Sequence, residues 1–254
     1  MELIILGSGT GIPLNYRASP SLALRVGAEL ILFDMGPGTL RQLGRAGLSH
    51  ELISRIFFTH FHPDHTLDLV HFLFATRNPN ILGRRRPFSI TGPVGLREFI
   101  HHLRRAYPGW ISLPSEIMEI QELDINQTVP RDYSNLRILV RPTKHTPESL
   151  AYRVESRRGK SLVYSGDTVC CQEIVELATG TDLLILESSF PDGEEVEGHL
   201  TPSQAGHLAS MAGVNRLVLT HFYPECLGTD IAAQCRKTYK GELILARDLL
   251  HIRI

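Results

Sequence analysis

Short apolar segments that each end in an ionisable residue constrain the fold of this chain most strongly. Five of them read "LILFD", "RIFFTH", "SLVYSGD", "DLLILE" and "RLVLTH". Runs of this length, rich in Leu, Ile, Val and Phe, predict buried β-strands. Their last residues are Asp34, His60, Asp167, Glu187 and His221. Ligand sites of α/β proteins gather where strands end, so we expect these side chains to meet at one edge of the structure.

The order of the predicted elements indicates an α/β fold. Strands alternate with helices in both halves of the chain. The helices are predicted at 37–47, about 64–76, near 94–106, about 170–178, from Thr201 onward and near 229–239. Two strand-rich halves that each carry helices favour a four-layer αββα sandwich, in which two sheets pack face to face. No long linker or low-complexity tract interrupts the 254 residues, so we expect one domain, 1–254.

The composition is that of an ordinary globular protein with little overall charge. Hydrophobic residues make up 43%, charged residues 21%, and the formal net charge is -1. This balance supports a large core, and it excludes a general electrostatic attraction to nucleic acid. The one dense basic run, Arg84–Arg86, stands between a glycine and a proline and predicts an exposed turn, which is either a solvated loop or a rim that contacts phosphate.

Cysteine use and hydropathy bear on the cellular compartment. Cys170, Cys171, Cys226 and Cys235 form no CxxC pair, and no secretory signal opens the sequence. We therefore expect reduced thiols in a cytoplasmic protein. The longest apolar helix candidate starts at Leu67, but it is too short to span a bilayer, so membrane insertion is not expected.

The segment "THFHPDH" at 59–65 predicts a metal site. Its ligand-type residues are His60, His62, Asp64 and His65, four within six positions. A solvated histidine-rich turn is the alternative, but four ligand-type residues this close together favour metal. Imidazole nitrogens and carboxylate oxygens suit zinc, manganese or iron, whereas magnesium and calcium prefer mostly oxygen. The spacing can direct two pairs of donors at two neighbouring positions, so we expect divalent ions, zinc first.

"HFHPDH" resembles the signature of the metallo-β-lactamase superfamily, whose fold is the αββα sandwich. Further ligand positions of that family occur in order in "KHTPESLAYR", "YSGDT" and "LTHFYP" as His145, Asp167 and His221. The resemblance implies a site for two divalent metal ions. One ion would be held by His60, His62 and His145, the second by Asp64, His65 and His221, and Asp167 would bridge them. A carboxylate can hold two cations about 3.5–4 Å apart.

Within that superfamily, the chain is similar to the ribonuclease Z-like phosphodiesterases. "GSGTGIP", "DMGPGT", "GPVGL" and the pair "LESSF" and "GHLTPSQAG" match the pattern of that branch. The resemblance implies that Glu187 hydrogen-bonds His199, which faces the substrate phosphate. An imidazole that a carboxylate orients and keeps protonated can protonate a leaving oxygen. Asp64 is the candidate that steers the attacking water or accepts its proton.

The segment between His145 and Asp167 separates this chain from ribonuclease Z proper. That enzyme carries a long tRNA-binding arm there, whereas residues 146–166 suffice only for a hairpin. We therefore expect a small or cyclic phosphodiester, or RNA, as the substrate. The alternatives are a tRNA 3′-processing endonuclease, a hydrolase of a lactone, thioester or sulfate ester, and a non-catalytic RNA- or protein-binding member. The resemblance is also compatible with a homodimer.

Three further features keep two interpretations each. Asp34 either braces a metal-binding histidine or closes a strand-end turn. Arg153 either contacts a phosphate or forms a salt bridge. Tyr107 and Trp110 either cap the entrance of the site or cover the core. "GSGTGIP", by contrast, does not fit a dinucleotide-binding loop, because Ile12 stands where GxGxxG needs its third glycine.

Overall fold

The computed structural model describes residues 1–125 and 130–254. Within these residues, the strands form two seven-stranded sheets. The first sheet contains β1 (Glu2–Gly7), β2 (Ser21–Val26), β3 (Glu29–Phe33), β4 (Ile53–Phe57), β5 (Phe88–Pro93), β6 (Met118–Leu123) and β14 (Leu250–Arg253). The second sheet contains β7 (Arg131–Asp132), β8 (Leu136–Pro142), β9 (Leu150–Ser156), β10 (Ser161–Tyr164), β11 (Leu183–Glu187), β12 (Arg216–Thr220) and β13 (Glu242–Leu245).

Helices lie between the strands of both halves of the chain. Those of the first half are α1 (Thr39–Arg45), α2 (Pro63–Thr66), α3 (Asp68–Thr76), α4 (Pro79–Leu82) and α5 (Leu96–Ala106), with a 3₁₀ turn at His50–Leu52. Those of the second half are α6 (Gln172–Ala178), α7 (Pro202–Met211), α8 (Pro224–Leu227) and α9 (Ile231–Arg236). Among the described residues, no helix is long and apolar enough to cross a membrane.

Parallel strands in both sheets bring several carboxyl ends together. β3, β4, β5 and β6 are parallel neighbours in the first sheet, as are β10, β11, β12 and β13 in the second. Asp34 directly follows β3, Glu187 ends β11, and His221 directly follows β12. Parallel strands end at the same edge of a sheet, so each sheet presents ionisable residues at one edge.

Alternate residues of a strand pack into two different layers of the core. In β1, Leu3 belongs to the core cluster that both sheets share, whereas Ile4 packs with residues of α1, α3 and α5. Across the sheets, the ring centres of Phe33 in β3 and Tyr152 in β9 lie 5.6 Å apart. This alternation follows from the two-residue period of a strand. The layers confirm the predicted αββα sandwich.

The helix predicted at about 64–76 is split into α2 and α3. The loop after β3 explains the break, because the Met35 N–H donates to the carbonyl of His65 at 2.7 Å. The Asp68 N–H in turn donates to the Met35 carbonyl at 3.0 Å, so these bonds replace helical ones. A Cβ at Gly36 would lie 1.9 Å from the carbonyl oxygen of Asp64, so glycine is required for this close approach.

The prediction of an exposed turn at Arg84–Arg86 is wrong for its middle residue. Arg85 is only 6% exposed, and its guanidinium donates hydrogen bonds to the carbonyls of Glu51 and Ile53. The same group lies 4.6 Å from the ring centre of Phe88. Burial lowers the pKa of Arg85 to about 10, which still leaves it charged at neutral pH. Backbone carbonyls and the ring of Phe88 therefore surround the Arg85 guanidinium, in place of the solvent that the basic run predicted.

Candidate metal centre

Four of the candidate ligands come from one strand-to-helix turn. His60 lies shortly after β4, His62 immediately precedes α2, and Asp64 and His65 lie within α2. Pro63 is the first helical residue, where its missing N–H costs no hydrogen bond. His60 and His65 are buried, while His62 is exposed. The turn therefore carries ligand-type side chains from the core to the surface.

The candidate ligands converge in two groups. Within each group, one ligand-type atom of every member lies within 4.8 Å of the others. The first group is His60, His62, His145 and Asp167, and the second is Asp64, His65 and His221. In the first group, Nε2 of His145 lies 3.0 Å from Nδ1 of His62. The structure thus brings together all of the metal-binding residues expected from the sequence.

Asp167 lies between the two groups. Its Oδ2 atom is 3.9 Å from Nε2 of His60 and 3.6 Å from Nε2 of His145. Its Oδ1 atom is 3.4 Å from Nε2 of His65 and 3.5 Å from Nε2 of His221. One carboxylate oxygen therefore faces each group, and this arrangement suits a carboxylate shared by two cations.

Three imidazole nitrogens indicate whether metal ions fit this centre. Nε2 of His60, His65 and His221 is buried and has no hydrogen-bond partner among the described residues. A buried polar atom without a partner is costly and calls for an explanation. Each ring pairs its Nδ1 atom with a neighbouring oxygen, which leaves the Nε2 lone pair free for a cation. The donor set therefore fits divalent metal ions.

Asp34 braces a candidate ligand as well as ending a strand. The residue is fully buried, and its Oδ2 atom lies 2.8 Å from Nδ1 of His65. The Thr59 N–H and the Tyr164 hydroxyl donate to the same carboxylate. The backbone of Asp34 has a φ of 59°, a left-handed conformation that residues other than glycine seldom adopt. Of the two interpretations left open by the sequence, the structure supports the bracing one.

The centre attracts positive charge. Burial would raise the pKa of Asp167, but the charges of His221 and His65 hold it well below its usual range. Burial would likewise lower the pKa of His65, but Asp167 and Asp34 raise it well above its usual value. The pKa of His60 falls well below its usual value, chiefly because the ring is buried. The carboxylates of Asp167 and Asp34 therefore stabilise positive charge at this centre, and a bound metal ion would take the place of the proton on His65.

Glu187 and His199 lie together beside the second group. Oε1 of the buried Glu187 is 3.0 Å from Nδ1 of His199, and the carboxylate accepts two backbone N–H groups as well. Burial alone would lower the pKa of His199, but the hydrogen bond and charge of Glu187 raise it above its usual value. A ligand-type atom of His199 lies within 4.8 Å of Asp167 and His221. The imidazole therefore faces the centre.

Ser189 and Tyr223 are site residues that the sequence analysis did not single out. Oγ of Ser189 lies 2.5 Å from Oε2 of Glu187 and 2.9 Å from Nδ1 of His221, so it links the two. The ring centre of Tyr223 lies 5.9 Å from those of both His199 and His221. The sequence offers one indication of both site residues, which is their position: each lies two residues after a candidate site residue.

Other open interpretations are settled by contacts away from the centre. Arg153 forms an ion pair with Glu155 at 2.8 Å and donates to two backbone carbonyls at the end of α6 and just beyond it. Its guanidinium therefore acts in a salt bridge. Tyr107 and Trp110 are 47% and 58% exposed and line an apolar groove with Phe74 and the buried Ile111, which supports the interpretation that they cover the core.

The protein has two sheets between layers of helices, and a centre rich in His and Asp lies where strands end. This combination defines a hydrolase of the metallo-β-lactamase fold. Residues 29–222 match the family described as the beta-lactamase superfamily domain. The chain belongs to that superfamily and to its ribonuclease Z-like branch, and it is a metal-dependent hydrolase.

Three similar proteins define this relationship. Ribonuclease Z of Streptomyces avermitilis is 32% identical over 303 aligned positions, which cover 100% of this chain and 97% of the relative. The crystal structure of human tRNase Z, short form, has a TM-score of 0.80 at 27% identity and covers 100% of this chain and 99% of its own. The metallo-β-lactamase fold protein YhfI of Bacillus subtilis has a TM-score of 0.86 at 21% identity, covering 99% and 98%, and shows the fold alone.

Proposed function

We propose that this protein hydrolyses a small or cyclic phosphodiester at a centre of two metal ions. The observation that carries the proposal is His199, which Glu187 holds beside the candidate metal ligands. A protonated imidazole suits the negative charge on the oxygens of a phosphoryl group in its transition state. Carbonyl chemistry has less need of such a group, so a lactone or thioester hydrolase is the weaker alternative.

The proposed ligands use every member of the two groups. One ion would be held by His60, His62 and His145, the other by Asp64, His65 and His221, and Asp167 would be shared. This mixture of nitrogen and oxygen donors favours zinc, with manganese and iron as the alternatives. When bound, such ions lower the pKa of water and offset charge on phosphoryl oxygens.

Two side chains of the centre would handle protons. Burial would raise the pKa of Asp64, but the charges of His65 and His221 lower it, which keeps the carboxylate ionised. The ionised carboxylate would accept a hydrogen bond from the attacking water and so steer it, while the lowered pKa makes it a weaker base. His199 would donate through its other ring nitrogen to the leaving oxygen, because Nδ1 is turned to Glu187. The hydrogen bond and charge of Glu187 raise the pKa of His199, which favours the protonated imidazole.

Three observations support a substrate smaller than tRNA. Residues 146–166 contain the antiparallel hairpin of β9 and β10. The alignment with the Streptomyces avermitilis relative extends over 303 positions, so about 50 of them have no counterpart in the 254 residues of this chain. The net charge of -1 adds no general attraction to a long polyanion.

RNA processing is the second candidate function. It is favoured by relatives named ribonuclease Z and tRNase Z, which align over the whole length of this chain. A non-catalytic binding role is the weakest candidate, because such a member is expected to have lost ligands that this chain retains.

A parallel activity screen distinguishes these functions. Metal-loaded protein is assayed with bis-p-nitrophenyl phosphate, 2′,3′- and 3′,5′-cyclic nucleotides, a pre-tRNA and a thioester, and its metal content is measured on the same sample. We expect turnover of bis-p-nitrophenyl phosphate and of a cyclic nucleotide. Specific cleavage of pre-tRNA without cyclic nucleotide turnover would favour the second candidate. No phosphodiester turnover with zinc, manganese or iron would reject the proposal.

Three statements stay predictions from the sequence and from its resemblance to the family: a single domain over 1–254, a cytoplasmic location and a homodimer. Light scattering of the purified protein tests the dimer, and microscopy of a tagged copy in its own cell tests the location. Limited proteolysis tests the domain, because a single domain yields no stable internal fragment.

A further inference from the structure

Tyr223 is held in a fixed position beside the proposed active site. It immediately precedes α8, and its backbone N–H donates to the carbonyl of Ser189 at 3.2 Å. Its ring stacks on that of Phe190, with 4.6 Å between the ring centres and 21° between the planes. Neighbouring residues of one loop therefore fix both the backbone and the ring of this tyrosine.

The side chain of Tyr223 lies on the His199 side of the centre. Its ring centre is 5.9 Å from that of His199 and 5.9 Å from that of His221. The ring of Tyr223 thus lies beside two imidazoles of the centre.

The Tyr223 hydroxyl differs from those of the buried tyrosines. Tyr152 donates to the carbonyl of Phe58, Tyr164 donates to Asp34, and Tyr239 donates to the carbonyl of Val214. Tyr223 is partly buried, yet no hydrogen bond of its hydroxyl is found within residues 1–125 and 130–254. A half-enclosed donor that is fixed in place but unpaired is available to a ligand.

We propose that Tyr223 contacts the substrate directly and that its hydroxyl donates a hydrogen bond to an oxygen of the phosphoryl group. The inference rests on the proposed phosphodiesterase function and adds a specificity contact to it. A phosphoryl group has more oxygens than two metal ions and His199 need to engage, so an acceptor remains for a further donor. Because Phe190 already orders the ring, binding would cost little side-chain entropy.

The test compares the Tyr223→Phe variant with the wild type. We expect kcat/KM for bis-p-nitrophenyl phosphate to fall about 10-fold, since a hydrogen bond to a charged group is lost. The affinity for inorganic phosphate, measured by calorimetry on zinc-loaded protein, should fall by a similar factor. Metal content and Tm should stay unchanged. The matched control is Tyr107→Phe, which removes a hydroxyl from an exposed tyrosine of the apolar groove and should behave as wild type.

A second variant tests the positioning by Phe190. Phe190→Leu keeps the Tyr223 hydroxyl but removes the stacked ring. We expect a smaller loss of kcat/KM than in Tyr223→Phe, and little further loss in the double variant, because the two changes affect one contact.

The outcomes separate this inference from the proposed function. If Tyr223→Phe equals the wild type in turnover and in phosphate affinity, the inference is overturned. It is also overturned if the variant loses metal or unfolds at a lower temperature in proportion to its loss of activity. If the wild type turns over no phosphodiester but Tyr223→Phe still weakens phosphate binding, the proposed function fails while the contact stands.

Discussion

The carboxylate of Asp34 lies 2.8 Å from Nδ1 of His65, and neither side chain is exposed to solvent. The Thr59 N–H, which follows β4, donates to the same carboxylate at 2.8 Å. The hydroxyl of Tyr164, in β10 of the other sheet, donates to it at 3.0 Å. Asp34 therefore joins a candidate metal ligand to both sheets, and the orientation of His65 depends on contacts far apart in the sequence.

Replacing Asp34 should weaken metal binding more than it alters the fold. Asp34→Asn keeps the size of the side chain but removes its charge, and its NH2 group would face a donor. We expect the metal affinity to fall about 10–100-fold, the usual effect of losing a partner that orients a ligand histidine. Competition with a chromophoric chelator measures this affinity.

Asp182→Asn is the matched control for that change. Asp182 precedes β11 and accepts hydrogen bonds from Ser161 and Lys160, away from the centre. Its variant should bind metal as the wild type does. Wild-type metal affinity in Asp34→Asn would contradict the bracing role.

The sequence predicted those parts of the fold and site that depend on local patterns. The apolar runs gave the strands, and the spacing within 60–65 and the later motifs gave the candidate ligands, because each pattern is contained in a few residues. The roles of Asp34 and Ser189 depend on side chains that approach through the tertiary fold. The break between α2 and α3 depends on backbone hydrogen bonds to Met35, which belongs to a different segment of the chain. Methionine is not a helix-breaking residue, so its presence in the sequence did not indicate the break.

Removing the metal should lower the stability of the protein. Without an ion, the buried Nε2 atoms of His60, His65 and His221 have no partner among the described residues, and Asp167 loses its compensating charge. A ligand present at 1,000 times its Kd stabilises a protein by about 4 kcal/mol. We expect a chelator to lower Tm by several degrees and zinc to restore it, as measured by calorimetry. In Asp167→Ala, the chelator should change Tm much less, and an unchanged wild-type Tm after verified metal removal would contradict the assignment.

Gly198 should be required for the position of His145. Its φ is 86°, and a Cβ at this residue would lie 2.8 Å from Nδ1 of His145. The same nitrogen is 2.9 Å from the Gly198 carbonyl oxygen, to which it donates in the tautomer that leaves Nε2 free. We expect Gly198→Ala to displace the imidazole and to lower metal content, measured by atomic emission.

Gly180→Ala separates this clash from backbone strain. Gly180 has a similar φ of 73°, but nothing lies within 4 Å of the added Cβ. Both variants should lose about 1–2 kcal/mol of stability through the left-handed backbone, whereas only Gly198→Ala should lose metal. Equal metal content in the two variants would show that His145 tolerates the methyl group.

Neutralising Glu187 should alter the pH dependence of the reaction without emptying the metal site. Glu187→Gln keeps one oxygen, which can still accept the backbone N–H group of Thr168, but its NH2 group would face the N–H group of Leu200, and it no longer stabilises a charged His199. Glu187 raises the pKa of His199, so activity that needs the protonated imidazole should be lost at a lower pH in the variant. We expect kcat to fall about 100-fold and the alkaline limb of the kcat profile to move toward lower pH. An unshifted limb with unchanged kcat would show that His199 does not act as the proton donor.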